Sequence, residues 1–545
     1  MKIIRLLLAS LPLLCFAQTD QTKFDNAKPK LIIGIVVDQM RFDYLSKYWD
    51  KYGDGGFKKL TTEGFNCINT HYNYIPTYTG PGHASIYTGT TPGVHGIIAN
   101  DWHDKSIDKE IYCVHDENYT TVGSKSKAGQ MSPKNLLVST LADELRLSSN
   151  FRSKSIGISL KDRGAVLPAG FSANGAFWLD DATGNWITSS YYMDNLPDWA
   201  TQFNNKRLID KYLSESWNTL LPIESYTEST SDNTNFEKAF TTEENPTFPH
   251  NLPRIKEKTG NYEIIKTTPF GNDLTLEAAK AAITGEKLGK SGFTDFISIS
   301  FSATDYVGHR FGPQSIEVED TYLRLDKNIE NLLAFLNTYM ENNNYLLFLT
   351  ADHGAIHTPN FLKANKMIGG YFKPERFLDN LNKAIAEKFG KAHWIESFSN
   401  DQIFLNHTTL KEKNVSKKEL QGFIIEYSLV LPEIAAAISS EDLLTGNFSL
   451  SYLKLAQAGY NQKRSGDVIL ILSSGYIDRE EKGTTHGSPF NYDTHVPLVW
   501  HGTNVKSGVT AEKINITDIV PTIAAMLRIQ IPDGVSGKPI GELVK

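Results

Sequence analysis

The segment L-I-I-G-I-V-V-D, residues 31–38, is an apolar and largely β-branched run that ends abruptly at a carboxylate. A continuous apolar run, in contrast to an alternating one, is typical of a strand buried on both faces of a parallel sheet. The pattern recurs as D-F-I-S-I-S-F at residues 295–301 and as Y-L-L-F-L-T at residues 345–350. These three segments predict the central strands of an α/β fold.

Acidic and imidazole residues lie at or just beyond the end of each predicted strand. Asp38 closes the first, Asp305 and His309 follow the second, and Asp352 and His353 follow the third. Open α/β sheets bind their ligands at the carboxyl ends of the strands. We therefore expect these side chains to meet at one edge of the sheet.

Helical patterns lie between the strands, and the segment 315–340 has apolar residues at helical spacing. The predicted helices span residues 133–147, 274–288, 315–340 and 517–527, and further strands are predicted at 155–160, 467–472 and 496–500. Alternating strands and helices favour a doubly wound, mainly parallel sheet with helices on both faces.

Two regions interrupt this alternation. Residues 190–265 are aromatic and then strongly polar, and residues 362–465 have predicted helices of their own at 374–389 and 417–426. The predicted division is a signal peptide at 1–17, a first part of the catalytic α/β core at 25–190, a surface insertion at 190–265, a second core part at 266–361, a cap-like insertion at 362–465 and a third core part at 466–545.

The amino terminus predicts export. A basic start is followed by a short apolar run at 6–16 and by Ala17, a small residue suited to cleavage. Leu14, which precedes Cys15, argues against a lipoprotein anchor, and no later run reaches the ~18 apolar residues of a membrane helix. We expect a soluble, exported protein, periplasmic or secreted, with no membrane anchor.

The net charge of the 545-residue chain is -7, which gives no reason to expect a nucleic-acid partner. Cys67 and Cys113 remain after removal of the signal. An even pair in an oxidising compartment favours a disulfide, and two separate buried thiols are the alternative.

The segment 76–100, P-T-Y-T-G-P-G-H-A-S-I-Y-T-G-T-T-P-G-V-H-G-I-I-A-N, carries a candidate nucleophile. Thr79 lies just before Gly80 and Pro81, and proline is well suited to the first turn of a helix. A threonine at this place would face free N–H groups that can hold an anion such as phosphate. The alternative is that Thr79 only caps the helix.

A further histidine, His486, lies in the glycine-bounded loop G-T-T-H-G. Carboxylate and imidazole ligands together suit zinc, and six of them would serve two ions. Each motif alone has a simpler interpretation, because Asp352-His353-Gly354 could form a turn and His486 could lie on the surface. The shared sheet edge is what favours a metal site.

Taken together, five separated motifs resemble the alkaline phosphatase superfamily, and more closely its phosphodiesterase/nucleotide-pyrophosphatase-like branch. The motifs occur in the order V-V-D-Q, P-T-Y-T-G-P-G-H-A-S-I-Y-T-G with H-G-I-I-A-N, D-Y-V-G-H, A-D-H-G and G-T-T-H-G-S. Their agreement in order and content makes a chance match negligible.

The resemblance implies two Zn²⁺ ions and a role for each motif residue. One ion would be held by Asp38, Asp352 and His353 together with the Thr79 oxygen, and the other by Asp305, His309 and His486. The first ion would lower the pKa of the Thr79 hydroxyl, and the second would stabilise the leaving alkoxide and then activate the water that cleaves a phosphothreonine.

The resemblance also implies two donors for the phosphate oxygens. These are the Gly80 N–H group and the side chain of Asn100, which act as preorganised stabilisers of developing charge. Asn100 could otherwise be only a turn residue.

Lys161 and Arg163 bear on the choice of substrate. They follow the predicted strand 155–160, so period-two alternation would point both to the same side. Two cations at one site suit a phosphate monoester dianion, whereas solvated charge at a strand end is the alternative. With this pair the chain resembles the phosphate-irrepressible alkaline phosphatases, whose substrates are small phosphate monoesters.

Two other functions remain open. A nucleotide pyrophosphatase or phosphodiesterase would use the same di-zinc site, and a non-catalytic zinc-bearing binding protein would retain the metals without turnover. A sulfatase is disfavoured, because Gly82 and His83 follow where its motif requires an arginine.

Overall fold

The structure is a computed structural model, and it describes residues 28–340, 344–449, 451–479 and 481–544. The predicted signal peptide at 1–17 lies outside the described residues. Among the described residues, no helix combines the length and the apolarity that crossing a membrane requires.

The strands of the described residues are between two and seven residues long. In chain order they are β1 Leu31–Val37, β2 Phe65–Cys67, β3 Thr70–His71, β4 Asp101–Asp104, β5 Lys109–Tyr112, β6 Thr121–Val122, β7 Ser155–Ser159, β8 Gly175–Asp180, β9 Asn185–Ser189, β10 Asp295–Phe301, β11 Tyr345–Thr350, β12 Gly370–Tyr371, β13 Ile395–Ser399, β14 Gln402–Leu405, β15 Ile434–Ser439, β16 Val468–Leu472, β17 Tyr476–Ile477, β18 His495–Val496, β19 Leu498–Gly502, β20 Gly508–Thr510 and β21 Ile514–Asn515.

The α-helices vary more in length. In chain order they are α1 Tyr44–Lys47, α2 Phe57–Glu63, α3 Thr79–Thr88, α4 Pro92–His95, α5 Leu141–Ser148, α6 Asp162–Ala169, α7 Asp198–Asn205, α8 Leu208–Tyr212, α9 Leu252–Thr259, α10 Phe270–Gly285, α11 Ala303–Phe311, α12 Ile316–Tyr339, α13 Pro359–Ala364, α14 Pro374–Phe389, α15 His407–Glu412, α16 Lys417–Leu429, α17 Ser440–Thr445, α18 Ser451–Gly459, α19 Asn491–Thr494, α20 Ile519–Leu527 and α21 Gly541–Val544.

A ten-stranded sheet forms the centre of the fold, in the order β20-β2-β19-β11-β1-β10-β7-β8-β9-β6. The five middle strands, from β11 to β8, run parallel to one another, whereas β19 pairs antiparallel with β11 and β9 pairs antiparallel with β8. The predicted α/β fold with a mainly parallel sheet is confirmed.

The register of the middle strands places the predicted site residues together. Leu31 of β1 pairs with Asp295 of β10 on one side and with Tyr345 of β11 on the other. All residues of these three strands are buried, as their continuous apolar sequences predict. Because the strands start level and run parallel, their carboxyl ends meet at one edge.

The strand predicted at 467–472 does not belong to the central sheet. It is β16, which pairs antiparallel with β14 and β15 in a separate four-stranded sheet. Helices α14 and α16 pack on this sheet and share a hydrophobic core with it, which includes Leu381, Leu420 and Ile424. An apolar run predicts a strand, but it does not say which sheet the strand joins.

Helix α5 is shorter than the predicted segment 133–147. It begins at Leu141, because Thr140 and Asp143 form a reciprocal capping box in which each side chain accepts a hydrogen bond from the other residue's backbone N–H. The residues ahead of Thr140 are therefore not helical.

The expected disulfide is not formed in the structure. Cys67 and Cys113 are both free, buried thiols. Cys67 packs in the core of the central sheet, whereas Cys113 belongs to a different cluster that contains Trp102 and Trp178. The two cysteines thus pack in separate hydrophobic clusters, as in the alternative to a disulfide, two separate buried thiols.

Candidate metal centre and active site

Three buried carboxylates converge at the carboxyl edge of the central sheet. Asp38 follows β1 directly, Asp352 follows β11, and Asp305 lies in the first turn of α11 just after β10. Each of the three residues is at most 3 % exposed. The parallel register therefore brings together the carboxylates that the sequence placed at three strand ends.

Asp38, Asp352 and His353 form the first group able to hold a metal ion. The Nε2 atom of His353 lies 3.6 Å from Asp38 Oδ1 and 3.5 Å from Asp352 Oδ2. These three atoms are buried and have no hydrogen-bond partner among the described residues. Buried polar atoms without partners are costly, so this donor set fits a bound cation.

Asp305 organises the second group. His309 Nε2 lies 3.1 Å and His486 Nε2 lies 3.6 Å from Asp305 Oδ1. The donor atoms of Asp305 and His486 also form a group with His353, whose ring stacks on that of His486 at a centroid distance of 3.4 Å. The two groups are thus contiguous, and His309 lies at their outer side.

The three imidazoles are held in one tautomer by backbone carbonyl groups. The Nδ1 atom of His309 lies 2.8 Å from the Thr484 carbonyl oxygen. The Nδ1 atom of His486 lies 2.7 Å from that of Thr77, and the Nδ1 atom of His353 lies 3.0 Å from that of Gly354. A proton on Nδ1 leaves the Nε2 lone pair directed at the carboxylates. Partners of this kind commonly orient metal-binding histidines.

The crowded carboxylates have strongly perturbed acidity. Burial and the neighbouring carboxylates raise the pKa of Asp38, and burial raises the pKa of Asp352 to about 7. Burial alone would also raise the pKa of Asp305, but His309 and Lys161 hold it well below its usual range. The site therefore favours additional positive charge.

Lys161 supplies part of that positive charge. Its Nζ atom lies 2.7 Å from Asp38 Oδ2, 2.6 Å from Asp305 Oδ2 and 3.4 Å from Thr79 Oγ1. Burial would lower the pKa of this ammonium group, but the charges of Asp305 and Asp38 raise it above its ordinary value. Lys161 therefore remains charged and touches both metal-binding groups as well as the candidate nucleophile.

Thr79 is the first residue of α3, and Tyr78 occupies the cap position ahead of it. The Thr79 hydroxyl instead accepts a hydrogen bond from Lys161 Nζ at 3.4 Å. Next to it, the Gly80 N–H group donates to Asn100 Oδ1 at 2.8 Å. The helix start thus presents a hydroxyl, a backbone donor and an amide side chain at one place.

Arg163 does not continue a strand, so the alternation argument for Lys161 and Arg163 is wrong. Strand β7 ends at Ser159, Lys161 caps α6, and Arg163 lies in the first turn of that helix. The Arg163 guanidinium donates to the Tyr112 hydroxyl at 3.0 Å. Both cations nevertheless line the same cleft of about 440 Å³ as Thr79 and Asn100, because the helix turn brings them together.

Gln39 was not singled out in the sequence, yet it connects the two metal-binding groups. Its side-chain Nε2 donates to Asp305 Oδ1 at 2.6 Å, and its backbone N–H donates to Asp352 Oδ1 at 3.1 Å. The backbone of Gln39 has a φ of 65° and its side chain fits against Gly308, where a Cβ would collide with it. The only sequence signal was its position beside Asp38.

The α/β sheet, the threonine at the start of a helix and the adjoining carboxylate–imidazole groups together define a member of the alkaline phosphatase superfamily. Residues 32–504 match the family model for type I phosphodiesterase / nucleotide pyrophosphatase. The chain belongs to this family.

Several curated proteins are similar over most of the chain. The chain is 46 % identical to the alkaline phosphatase PhoV of Synechococcus elongatus and 43 % identical to the alkaline phosphatase PafA of Elizabethkingia meningoseptica. Those alignments cover 95 % of this chain and 94 % and 95 % of the relatives. A Myroides odoratus protein named calcium-transporting ATPase is 45 % identical, with 95 % of each chain covered.

The solved structures agree with these sequence matches. The crystal structure of wild-type alkaline phosphatase PafA superimposes with a TM-score of 0.92 at 42 % identity, covering 95 % of this chain and 99 % of that one.

Gly82 tests how closely α3 must approach the metal centre. A Cβ at this position would lie 2.6 Å from the Asp352 carbonyl oxygen and 2.7 Å from its Cβ. Alanine normally stabilises a helix by up to ~1 kcal/mol relative to glycine. Here we expect Gly82→Ala to lower the melting temperature and weaken metal binding, because the helix must move away from Asp352; calorimetry and metal titration measure both.

Gly422→Ala in α16 is the matched control, since a Cβ there meets nothing within 4 Å. This variant should be as stable as the wild type or more stable. Equal behaviour of the two variants would show that close packing of α3 on Asp352 is unimportant.

Proposed function

We propose that the chain is an exported di-zinc alkaline phosphatase that hydrolyses small phosphate monoesters through a covalent phosphothreonine on Thr79. The observation that carries this proposal is the position of the Thr79 hydroxyl, 3.4 Å from Lys161 Nζ at the edge of the carboxylate–imidazole cluster. Relatives named alkaline phosphatases, similar over nearly the whole chain, support it.

Two zinc ions fit the donors present. Asp38, Asp352 and His353 would hold one, and Asp305, His309 and His486 the other, which is the mixture of nitrogen and oxygen ligands that zinc takes in proteins. When bound, such ions lower the pKa of a nearby hydroxyl and stabilise negative charge on a departing oxygen.

In the first half-reaction, Thr79 Oγ1 attacks the phosphorus atom and the bond from phosphorus to the ester oxygen breaks. The alcohol leaves with the bonding electrons and takes up a proton. In the second, a water molecule attacks the phosphothreonine, the bond from phosphorus to Thr79 Oγ1 breaks, inorganic phosphate leaves, and a proton from the water restores the Thr79 hydroxyl. The start of α3 suits this role because its free N–H groups favour an anion.

The non-bridging phosphate oxygens would be bound by Gly80 and Asn100. In the structure the Gly80 N–H donates to Asn100 Oδ1, which fixes the side-chain amide of Asn100 at the rim of the cleft. A phosphate on Thr79 would accept from the Gly80 N–H and from the Asn100 NH₂ group. The two donors lie side by side, and a phosphate oxygen would replace Asn100 Oδ1 as the acceptor of the Gly80 N–H.

Lys161 and Arg163 favour a monoester over a diester. A monoester carries two negative charges at neutral pH and gains most from two cations, whereas a diester carries one and has a second substituent to accommodate. The phosphodiesterase activity in the family's description is the second candidate, and it would use the same ligands. The terminal phosphoryl group of ATP is also a dianion, so the ATPase name of the Myroides relative is compatible with this chemistry.

The proposal also includes the cellular location of the protein and the predicted division of the chain into core parts and insertions. We infer export from the basic and apolar character of residues 1–17. The insertion at 362–465 would cover one side of the cleft, since Asn400 and Asp401 contribute to its lining.

Thr79→Ala should reduce kcat/KM for p-nitrophenyl phosphate by about 10³-fold or more, because no oxygen remains to form the covalent intermediate. Thr79→Ser should keep substantial activity, since serine supplies the same hydroxyl. Steady-state kinetics with zinc content measured in parallel provide the test. An alanine variant with near-normal rates and full zinc content would remove Thr79 from its assigned role.

Lys161→Ala and Arg163→Ala should each lower kcat/KM for a phosphate monoester by about 10- to 100-fold, the size expected for a charge-assisted hydrogen bond. The loss for the matching methyl diester should be much smaller. Parallel kinetics on both esters in one buffer measure the difference, and Arg163→Lys is a control that keeps the charge. Equal losses on both substrates would contradict monoester recognition by this pair.

A further inference from the structure

A second, basic pocket adjoins the catalytic cleft. It has a volume of about 340 Å³ and shares Tyr306, His309 and Arg479 with the cleft. The two cavities are therefore neighbours on either side of His309. A substrate bound at Thr79 could extend from one into the other.

Four cationic side chains line this pocket, and they are Lys238, Arg310, Arg479 and Lys482. Glu263 is the carboxylate that lines it. The excess of positive charge is notable because the whole chain has a net charge of -7. A concave site with an excess of one charge concentrates ligands of the opposite charge.

The pocket is built on backbone pairing between three separate segments. The Lys238 N–H donates to the Arg310 carbonyl oxygen at 3.0 Å, and the Thr484 N–H donates to the His309 carbonyl oxygen at 3.0 Å. The Gly483 N–H donates to the Phe236 carbonyl oxygen at 2.9 Å. The cations are thus carried by a connected framework that also holds two metal-ligand candidates, His309 and His486.

Arg310 is fixed at the wall of this pocket. Its guanidinium donates to the Ala239 carbonyl oxygen at 2.9 Å and lies over the Phe240 ring, 4.6 Å from the centroid. Its Nε atom is buried and has no hydrogen-bond partner among the described residues. Arg310 therefore holds a fixed positive charge at the pocket wall.

The Asp305 group is most open to solvent at His309, which also lines the basic pocket. The side chain of His309 is 25 % exposed, whereas those of His486 and His353 are 5 % and 0 % exposed. The outlet of the Asp305 group therefore lies past His309, where the basic pocket begins. In the proposed function, the alcohol of the ester departs on the side of this group.

We propose that the basic pocket is an accessory anion subsite that favours phosphate monoesters whose alcohol carries a second anionic group, such as another phosphate, a carboxylate or a sulfonate. The reacting phosphate binds at Thr79, and the second anion contacts Lys238, Arg310 and Lys482. This inference rests on the proposed function and adds a substrate class to it.

A pair of synthetic esters tests the subsite. 3-Phosphooxypropane-1-sulfonate has a charged tail, and 3-phosphooxypropane-1-sulfonamide has a neutral tail of similar shape, with the tail separated from the ester oxygen by methylene groups. The measured quantity is the ratio of their kcat/KM values. We expect the wild type to favour the sulfonate by about 3- to 10-fold at low salt, and less at high salt because exposed charges are screened.

The double variant Lys238→Gln/Lys482→Gln should bring this ratio close to one. Both lysines are exposed, so the substitutions should not disturb folding. Lys411→Gln is the matched control, because this exposed lysine in α15 lines neither cavity and should leave the ratio unchanged. Arg310→Gln should lower the ratio through higher KM for the sulfonate ester.

The outcomes separate the two proposals. Turnover of both esters with a wild-type ratio near one, or a ratio unaffected by the double variant, would overturn the subsite and leave the phosphatase proposal intact. No turnover of either ester by zinc-loaded protein would contradict the phosphatase proposal itself.

Discussion

The crowding of buried carboxylates at one sheet edge is the interaction on which the rest of the site depends. Asp38, Asp305 and Asp352 are almost fully excluded from solvent, and burial together with repulsion from the other two carboxylates raises the pKa of Asp38. Burying several carboxylates together is costly unless cations compensate. Lys161 contacts two of them, and one oxygen each of Asp38 and Asp352 has no hydrogen-bond partner in the part of the chain that the structure describes, which favours further positive charge there.

The fold makes this crowding possible through parallel register. Strands β1, β10 and β11 begin level with one another, so the residues after each strand reach the same edge. Helix α3 then brings Thr79 to the same place, and Gly82 allows its backbone to approach Asp352 closely. Gln39 donates to both Asp305 and Asp352 and so fixes their relative position. Strand register, the close approach of α3 and the Gln39 hydrogen bonds together place Thr79 beside the carboxylates, as the proposed reaction requires.

The strongest sequence signals were those that depend on local pattern. Continuous apolar runs predicted β1, β10 and β11, and the motifs resembling the superfamily predicted a family that is confirmed. Contacts between residues far apart in the sequence are harder to predict from a single sequence. The pairing of β16 in a separate sheet and the separation of Cys67 from Cys113 depend on tertiary packing, which a single sequence does not show.

Individual side chains of the candidate site also depend on tertiary contacts that the sequence does not show. Lys161 and Arg163 were placed in one cleft for the wrong reason, because a helix turn and not a strand brings them together. Gln39 went unnoticed because its role depends on a left-handed backbone and on contacts with residues more than 260 positions away. The roles of Thr79 and Asn100 and the assignment of ligands to each ion remain predictions.

Anomalous diffraction at the zinc absorption edge, from crystals of the purified protein, is the most direct measurement of the central claim. We expect two peaks per chain, one among Asp38, Asp352 and His353 and one beside Asp305, His309 and His486. Zinc-loaded crystals with no peak within this cluster, or with zinc bound only elsewhere, would contradict it.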